Sequence, residues 1–165
     1  MYRQFNEAVL ILFLIMVYAI SRQVVFFVAI SLMALLFCFS FFNIYQVREN
    51  SMEPLLLSGQ TIVAIRDRSV KSGDIVVFEN PEDHRLVVKR FLLSPGDPVI
   101  IRNCILITPE GNIPLTKRQS HMLSTFDFIP DNMFFALGDN IFNSHDSRDY
   151  GPVTIDNIKG KVLLF

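Results

Sequence analysis

Residues 24–42 read VVFFVAISLMALLFCFSFF, nineteen positions without a charge, and they divide the chain into two unlike parts. As a helix such a run is about 28 Å long, close to the roughly 30 Å of bilayer hydrocarbon. Its polar members are Ser31 and Ser40, and a helical serine can return its hydroxyl to a carbonyl one turn back. A core helix of a soluble domain ordinarily keeps a polar stripe, which this run lacks. The run reads as a membrane-spanning helix.

Residues 8–20 form another apolar run, set off by Ser21-Arg22-Gln23. Thirteen residues give only about 20 Å of helix, short of a full crossing unless Tyr2 and Phe5 join it. Two arrangements follow. In the favoured one, a tight helical hairpin puts Arg22 in the cytoplasm and both ends outside; in the other, the first run lies shallowly and only the second crosses. Both allow residues 43–165 to face the exterior, although one or two charges give the positive-inside rule little to act on. No small-x-small site closes the run, so a cleaved leader is not expected. The membrane anchor is assigned to residues 1–42, with 8–20 as a first short helix and 24–42 as the span.

Beyond residue 42 the period shortens. Residues 61–65, 74–78, 86–93, 99–101, 104–108, 133–137 and 161–165 are short β-branched or aromatic runs. Turn formers separate them: Ser58-Gly59, Ser72-Gly73-Asp74, Pro95-Gly96-Asp97 and Glu110-Gly111-Asn112. The fold class that follows is mainly β, a compact antiparallel β domain over residues 43–165 behind the helical anchor. Residues 116–131 have no strong period and read as a loop. Leu55-Leu56-Leu57 and Phe41-Phe42 read as a bilayer-contact surface.

Charge narrows the function. Residues 43–165 hold 13 of the 15 Lys and Arg and 15 of the 16 Asp and Glu. No basic patch or tail calls for nucleic acid. His84, His121 and His145 have no metal-ligand spacing, so neither a metal nor another cofactor is expected. Cys38 and Cys104 lie in different parts of the chain, and a disulfide between them is not expected.

Three places carry chemistry. Ser51, in Asn50-Ser51-Met52-Glu53-Pro54, stands nine positions beyond the apolar run; taken alone it reads as readily as a turn cap. In Leu86-Val87-Val88-Lys89-Arg90-Phe91 both strand faces are apolar, so Lys89 or Arg90 must lie against apolar neighbours. The bland reading of Lys89 is a snorkelling stem with its ammonium in water. A buried amine is different: desolvation disfavours the cation and makes lysine a usable base for activating a serine, whereas arginine stays charged. The third place is the polar run Gly138-Asp139-Asn140-Ile141-Phe142-Asn143-Ser144-His145-Asp146-Ser147-Arg148-Asp149-Tyr150-Gly151. It is either a solvated loop or a buried network in which one hydroxyl orients Lys89 while Asp146 and Arg148 pair. A calcium loop fits poorly, because Ile141 and Phe142 stand where oxygen ligands are needed.

Four stretches, in order, resemble the type I signal peptidases (leader peptidases) of the serine–lysine class: Ser51-Met52-Glu53-Pro54; residues 72–78 (SGDIVVF); Val87-Val88-Lys89-Arg90 running to Pro95-Gly96-Asp97; and residues 138–151. The resemblance implies Ser51 as nucleophile, Lys89 as general base, Ser144 as the hydroxyl orienting the amine, Asp146 with Arg148 as a structural pair, and Met52 beside the nucleophile in the pocket. It further implies removal of signal peptides from exported preproteins through an acyl-enzyme, after small residues, with the substrate extended against a strand. The implied place is the inner or plasma membrane, with the catalytic domain outside the cytoplasm. Many members carry a serine two residues before the nucleophile; Glu49 stands there, and an ionised carboxylate only accepts hydrogen bonds. Residues 102–133 are also short beside larger members.

Rival readings are a specialised processing peptidase for pilus or conjugation substrates, and a non-catalytic membrane-tethered β module that binds exported chains. A self-cleaving serine–lysine regulator would need a DNA-binding region and a cleavage site where the apolar segment stands.

Overall fold

The computed structural model describes residues 2–67 and 69–164, and the chain divides between Phe41 and Phe42 into two compact units. The first is one helix, α1 (Tyr2–Phe41). The hairpin expected at Ser21-Arg22-Gln23 is replaced by uninterrupted helix, for a local reason: residues 2–41 contain neither glycine nor proline, and serine, arginine and glutamine are all tolerated inside a helix. Ser21 donates its hydroxyl to the Tyr18 carbonyl at 2.8 Å, and Ser40 donates to Leu36 at 2.9 Å. The Arg22 guanidinium lies 5.8 Å from the Tyr18 ring centroid, within cation–π range. The stretch Val9–Phe41 is long and apolar enough to cross a membrane. The side chain of Cys38 lies outside the described residues, and Cys104 is a free thiol.

The second unit contains, in chain order, β1 (Phe42–Gln46), β2 (Thr61–Ile65), β3 (Ile75–Glu79), β4 (Leu86–Leu93), β5 (Ile100–Arg102), β6 (Ile105–Thr108), β7 (Gly111–Pro114), α2 (Lys117–Leu123), β8 (Met133–Leu137), α3 (Ser147–Tyr150), β9 (Val153–Thr154) and β10 (Ile158–Leu164). A seven-stranded sheet has the order β1-β2-β10-β3-β4-β8-β9, and a smaller sheet has the order β5-β6-β7. Every strand pair is antiparallel. The unit is mainly β, as its turn-punctuated sequence implies. The last expected strand begins earlier than residue 161, and Phe165 lies outside the described residues.

Central strands are buried on both faces, which is why they read as continuous apolar runs instead of alternating ones. In β3, Ile75 and Val77 join Met52, Leu56, Ile62 and Val162 in one cluster, while Val76 and Phe78 join Phe91, Phe134 and Val153 in another. The Phe91 and Phe134 rings stack with centroids 5.2 Å apart, and Phe78 meets Phe134 edge-on at the same separation. A third cluster gathers Leu106, Ile113 and Leu123 with Phe135 and Leu137. The bilayer-contact reading of Leu55-Leu56-Leu57 is corrected here. Leu56 is fully buried and Leu55 packs against the same cluster, leaving Leu57 exposed, because the turn after Ser51 folds this segment back onto β2 and β3.

Residues 116–131, read as loop, contain α2. Thr116 accepts from the Gln119 N–H at 3.2 Å, and the Gln119 side chain accepts from the Thr116 N–H at 2.9 Å. This is a reciprocal capping box, legible as Thr-x-x-Gln.

One feature of the sheet sets up the site. Residues 86–90 of β4 pair with β3, whereas β8 pairs only from Arg90 onward. Beyond Leu137 the chain turns away, so the edge of β4 beside residues 86–89 is left open.

Candidate active site

Ser51 sits in a turn, not in a strand or at a helix cap. The Val47 N–H donates to the Gln60 carbonyl at 2.9 Å, closing the loop that carries the serine. The Leu56 N–H donates to the Met52 carbonyl at 3.0 Å, which tightens the chain just after it. The serine is buried, and its hydroxyl meets the Lys89 amine, with Nζ 2.5 Å from Oγ. The turn-cap reading of Ser51 therefore fails: its hydroxyl contacts lysine and no backbone N–H among the described residues. The Ser51 N–H itself makes no hydrogen bond within the described protein.

Lys89 shares its strand face with Val87 and Phe91, and its cross-strand partner is Val76. Only 1% of the lysine is exposed, so the snorkelling reading also fails. It makes no ion pair among the described residues. Burial pushes the amine below its ordinary value; the Asp146 and Glu49 carboxylates pull it partly back up, and the Arg148 charge pushes it further down. Desolvation is the largest of these effects, and it favours the neutral amine that proton abstraction requires.

Asp146 is completely buried and accepts five hydrogen bonds. Arg148 supplies three of them: from its N–H at 3.1 Å, Nε at 2.9 Å and Nη2 at 2.9 Å. The Gly138 N–H donates at 3.0 Å and the Ser144 hydroxyl at 2.7 Å. Such saturation keeps a buried carboxylate tolerable and fixes the loop around it. Ser144 is thus placed differently from the sequence expectation, with its hydroxyl directed to Asp146; no hydrogen bond joins it to Lys89 among the described residues. Met52 also departs from the pocket-lining expectation, being 1% exposed and packed in the core with Leu56 and Ile62.

Three residues quoted in the sequence, but given no role there, organise the site. Arg90 grips Asp139 through Nε at 2.8 Å and Nη2 at 2.6 Å, while Nη1 donates to the Gly73 carbonyl at 2.8 Å. Asn140 donates its N–H to the Ser51 carbonyl at 3.0 Å and its Nδ2 to the Asn50 carbonyl at 3.0 Å. Gly138 sits where a Cβ would run into the Ser144 side chain and come within 2.6 Å of the Ser51 carbonyl oxygen. Only glycine lets the loop pass between them. The spacing of these residues carried no signal of such ties, since their partners lie far away in sequence. Ser147 adds one more, its Oγ accepting from the Ala136 N–H of β8 at 3.1 Å.

Among the described residues no group of three or more His, Cys, Asp or Glu could hold a metal ion. A groove of about 450 Å³ lined by Asn43, Tyr45, Arg66, Asp67, Leu86, Ile158 and Lys159 contains neither Ser51 nor Lys89. The dyad instead stands beside the open edge of β4.

The chain matches the family described as signal peptidase, peptidase S26, over residues 20–165. It is 32% identical to a signal peptidase I of Bacillus caldolyticus, over 86% of this chain and 88% of that protein. It is 32% identical to signal peptidase IB of Staphylococcus aureus (strain COL), over 72% and 74%. It is 33% identical to mitochondrial inner membrane protease subunit 1 of Schizosaccharomyces pombe, over 74% and 71%. One family covering nearly the whole chain, joined by relatives above 30% identity along most of their length, leaves a single assignment for a serine set against a buried lysine: this chain belongs to the signal peptidase family, peptidase S26.

Proposed function

We propose that the protein is a membrane-bound serine endopeptidase that removes N-terminal signal peptides from exported preproteins, with Ser51 as nucleophile and Lys89 as general base. The observation that carries this reading is the 2.5 Å approach of Nζ to Oγ at an amine without an ion-pair partner among the described residues. In the neutral state the lysine accepts the hydroxyl proton as Oγ attacks the scissile carbonyl. The tetrahedral intermediate collapses, breaking the C–N bond. Lys89 passes its proton to the departing amine of the mature chain. Water then gives a proton to Lys89 and attacks the acyl carbon; Lys89 returns that proton to Oγ as the ester bond breaks, releasing the signal peptide as a carboxylic acid.

The signal-side residues run extended along the open edge of β4 at residues 86–88, taking up backbone groups that no other strand uses. The Ser51 N–H, unpartnered within the described protein, is the donor for the developing oxyanion. Glu49 contributes no second donor when ionised, and one missing oxyanion donor lowers a rate by about 10²–10³. Asp146 and Arg148 hold the loop, and Ser144 acts on Lys89 through Asp146. Helix α1 crosses the bilayer and the catalytic unit works on its extracytoplasmic side.

The test is cleavage of a preprotein by the full chain in detergent, with the cut mapped by mass. Cleavage after a small residue, lost in both Ser51→Ala and Lys89→Ala, is expected; full activity in either variant removes the mechanism.

A further inference from the structure

Phe142 is 97% exposed, the most exposed large apolar side chain among the described residues of the catalytic unit. It stands in a short 3-10 turn, Ile141–Asn143, closed by the Asn143 N–H donating to the Asn140 carbonyl at 3.0 Å. That turn is bound to the nucleophile. Asn140 donates to the Ser51 carbonyl at 3.0 Å, and two residues of backbone put Phe142 within about 8 Å of Asn140. The backbone of this turn is tied to Ser51 through Asn140, and the Phe142 ring projects into solvent from it.

The sheet decides which part of a substrate passes it. An extended chain can add to β4 only along residues 86–89, because β8 fills the edge from Arg90 onward. With the signal side on that edge and the scissile carbonyl at Ser51, the other flank leaves over the turn into which β8 runs, residues 138–143. We propose that Phe142 determines specificity on the leaving-group side, covering the first residues of the mature chain and favouring an apolar side chain there. This inference rests on the signal peptidase reading and on the polarity of the substrate given above.

The experiment uses the full chain in proteoliposomes and two preproteins identical up to the cut, carrying leucine or glycine at the two positions after it. The leucine-to-glycine ratio of kcat/KM falls about fivefold in Phe142→Ala, the effect of uncovering part of a buried side chain, and Phe142→Leu restores most of it. The chain contains no tryptophan, so Phe142→Trp in a Ser51→Ala background is its one tryptophan, and under excitation selective for tryptophan its emission shifts blue on adding a tryptophan-free leucine preprotein. An unmoved ratio in Phe142→Ala overturns the proposal. Quenching of that tryptophan by brominated lipid, with no response to preprotein, also overturns it and assigns the ring to the bilayer. Wild-type failure to cut either preprotein removes the peptidase reading together with this one, whereas cutting with an unmoved ratio removes this one alone.

Discussion

Asp139 receives Arg90 in a two-pronged grip, 2.8 Å from Nε and 2.6 Å from Nη2, and this pair spans the two halves of the dyad. Arg90 follows Lys89 on β4. Asp139 precedes Asn140, whose N–H holds the Ser51 carbonyl at 3.0 Å. The distance between Ser51 and Lys89 is therefore set through backbone neighbours, and a planar fork fixes it more rigidly than a single point charge does.

Arg90→Lys keeps the charge but loses the fork. The expected outcome is a fall in kcat of about 10–100-fold, the scale of a small misplacement of reacting groups, with KM little changed. Steady-state kinetics on a preprotein, beside Asp139→Asn, checks it; an unaltered kcat in both variants removes the positioning role.

Gly138→Ala inserts a methyl group against Ser144 and within 2.6 Å of the Ser51 carbonyl oxygen. Backbone cannot yield as a flexible side chain does, so a destabilisation of about 1–3 kcal/mol is expected, together with a large loss of activity. Thermal unfolding and cleavage measured on the same sample test both; a variant as stable and active as wild type would falsify the close-approach account.

As the proposed general base, Lys89 sets the expected pH dependence. The folded amine is held below its ordinary value of 10.5, chiefly by burial, and it must be neutral to act. Activity should rise with pH along a single acid limb whose midpoint lies below that of free lysine. Between the depressed folded value and the unfolded one, the unfolded chain binds more protons, so stability also rises with pH across that window. Lys89→Met should abolish cleavage and raise Tm, most at pH below the window and progressively less toward 10.5. Each kcal/mol relieved appears as roughly 2–4 °C. A Tm difference independent of pH is incompatible with a buried, titrating amine.

Asp146→Asn removes the charge that Arg148 faces at 4% exposure. An uncompensated buried guanidinium costs about 3–5 kcal/mol, so the variant should unfold at much lower denaturant. A double variant, Asp146→Asn with Arg148→Met, should recover part of that loss; no recovery would show that Asp146 acts through Gly138 and Ser144 instead.

Much of the architecture was legible in residue order because it depends on local pattern. The apolar run marked a helix, and β2, β4 and β8 occupy the expected residues because β-branched and aromatic side chains crowd them between turn formers. The strands without a signal in the sequence, β1, β7 and β9, are two to five residues long. Strands that short are specified by the partner they pair with more than by their own composition. The capping box of α2 is present in the sequence as Thr116-x-x-Gln119, whereas the continuity of α1 through Arg22 reflects helix propensity outweighing the polarity of three residues.

The sequence by itself determined that the chain has an apolar helical part and a β part, and that Lys89 or Arg90 must lie among apolar neighbours on β4, because hydrophobic periodicity and turn chemistry act over a few residues. Tertiary structure alone decided that this lysine meets Ser51 from 38 positions away, that Ser144 turns to Asp146, and that Met52 serves the core. Those are distances between segments remote in sequence, set by strand register and by hydrogen bonds that exist only once the sheet has closed.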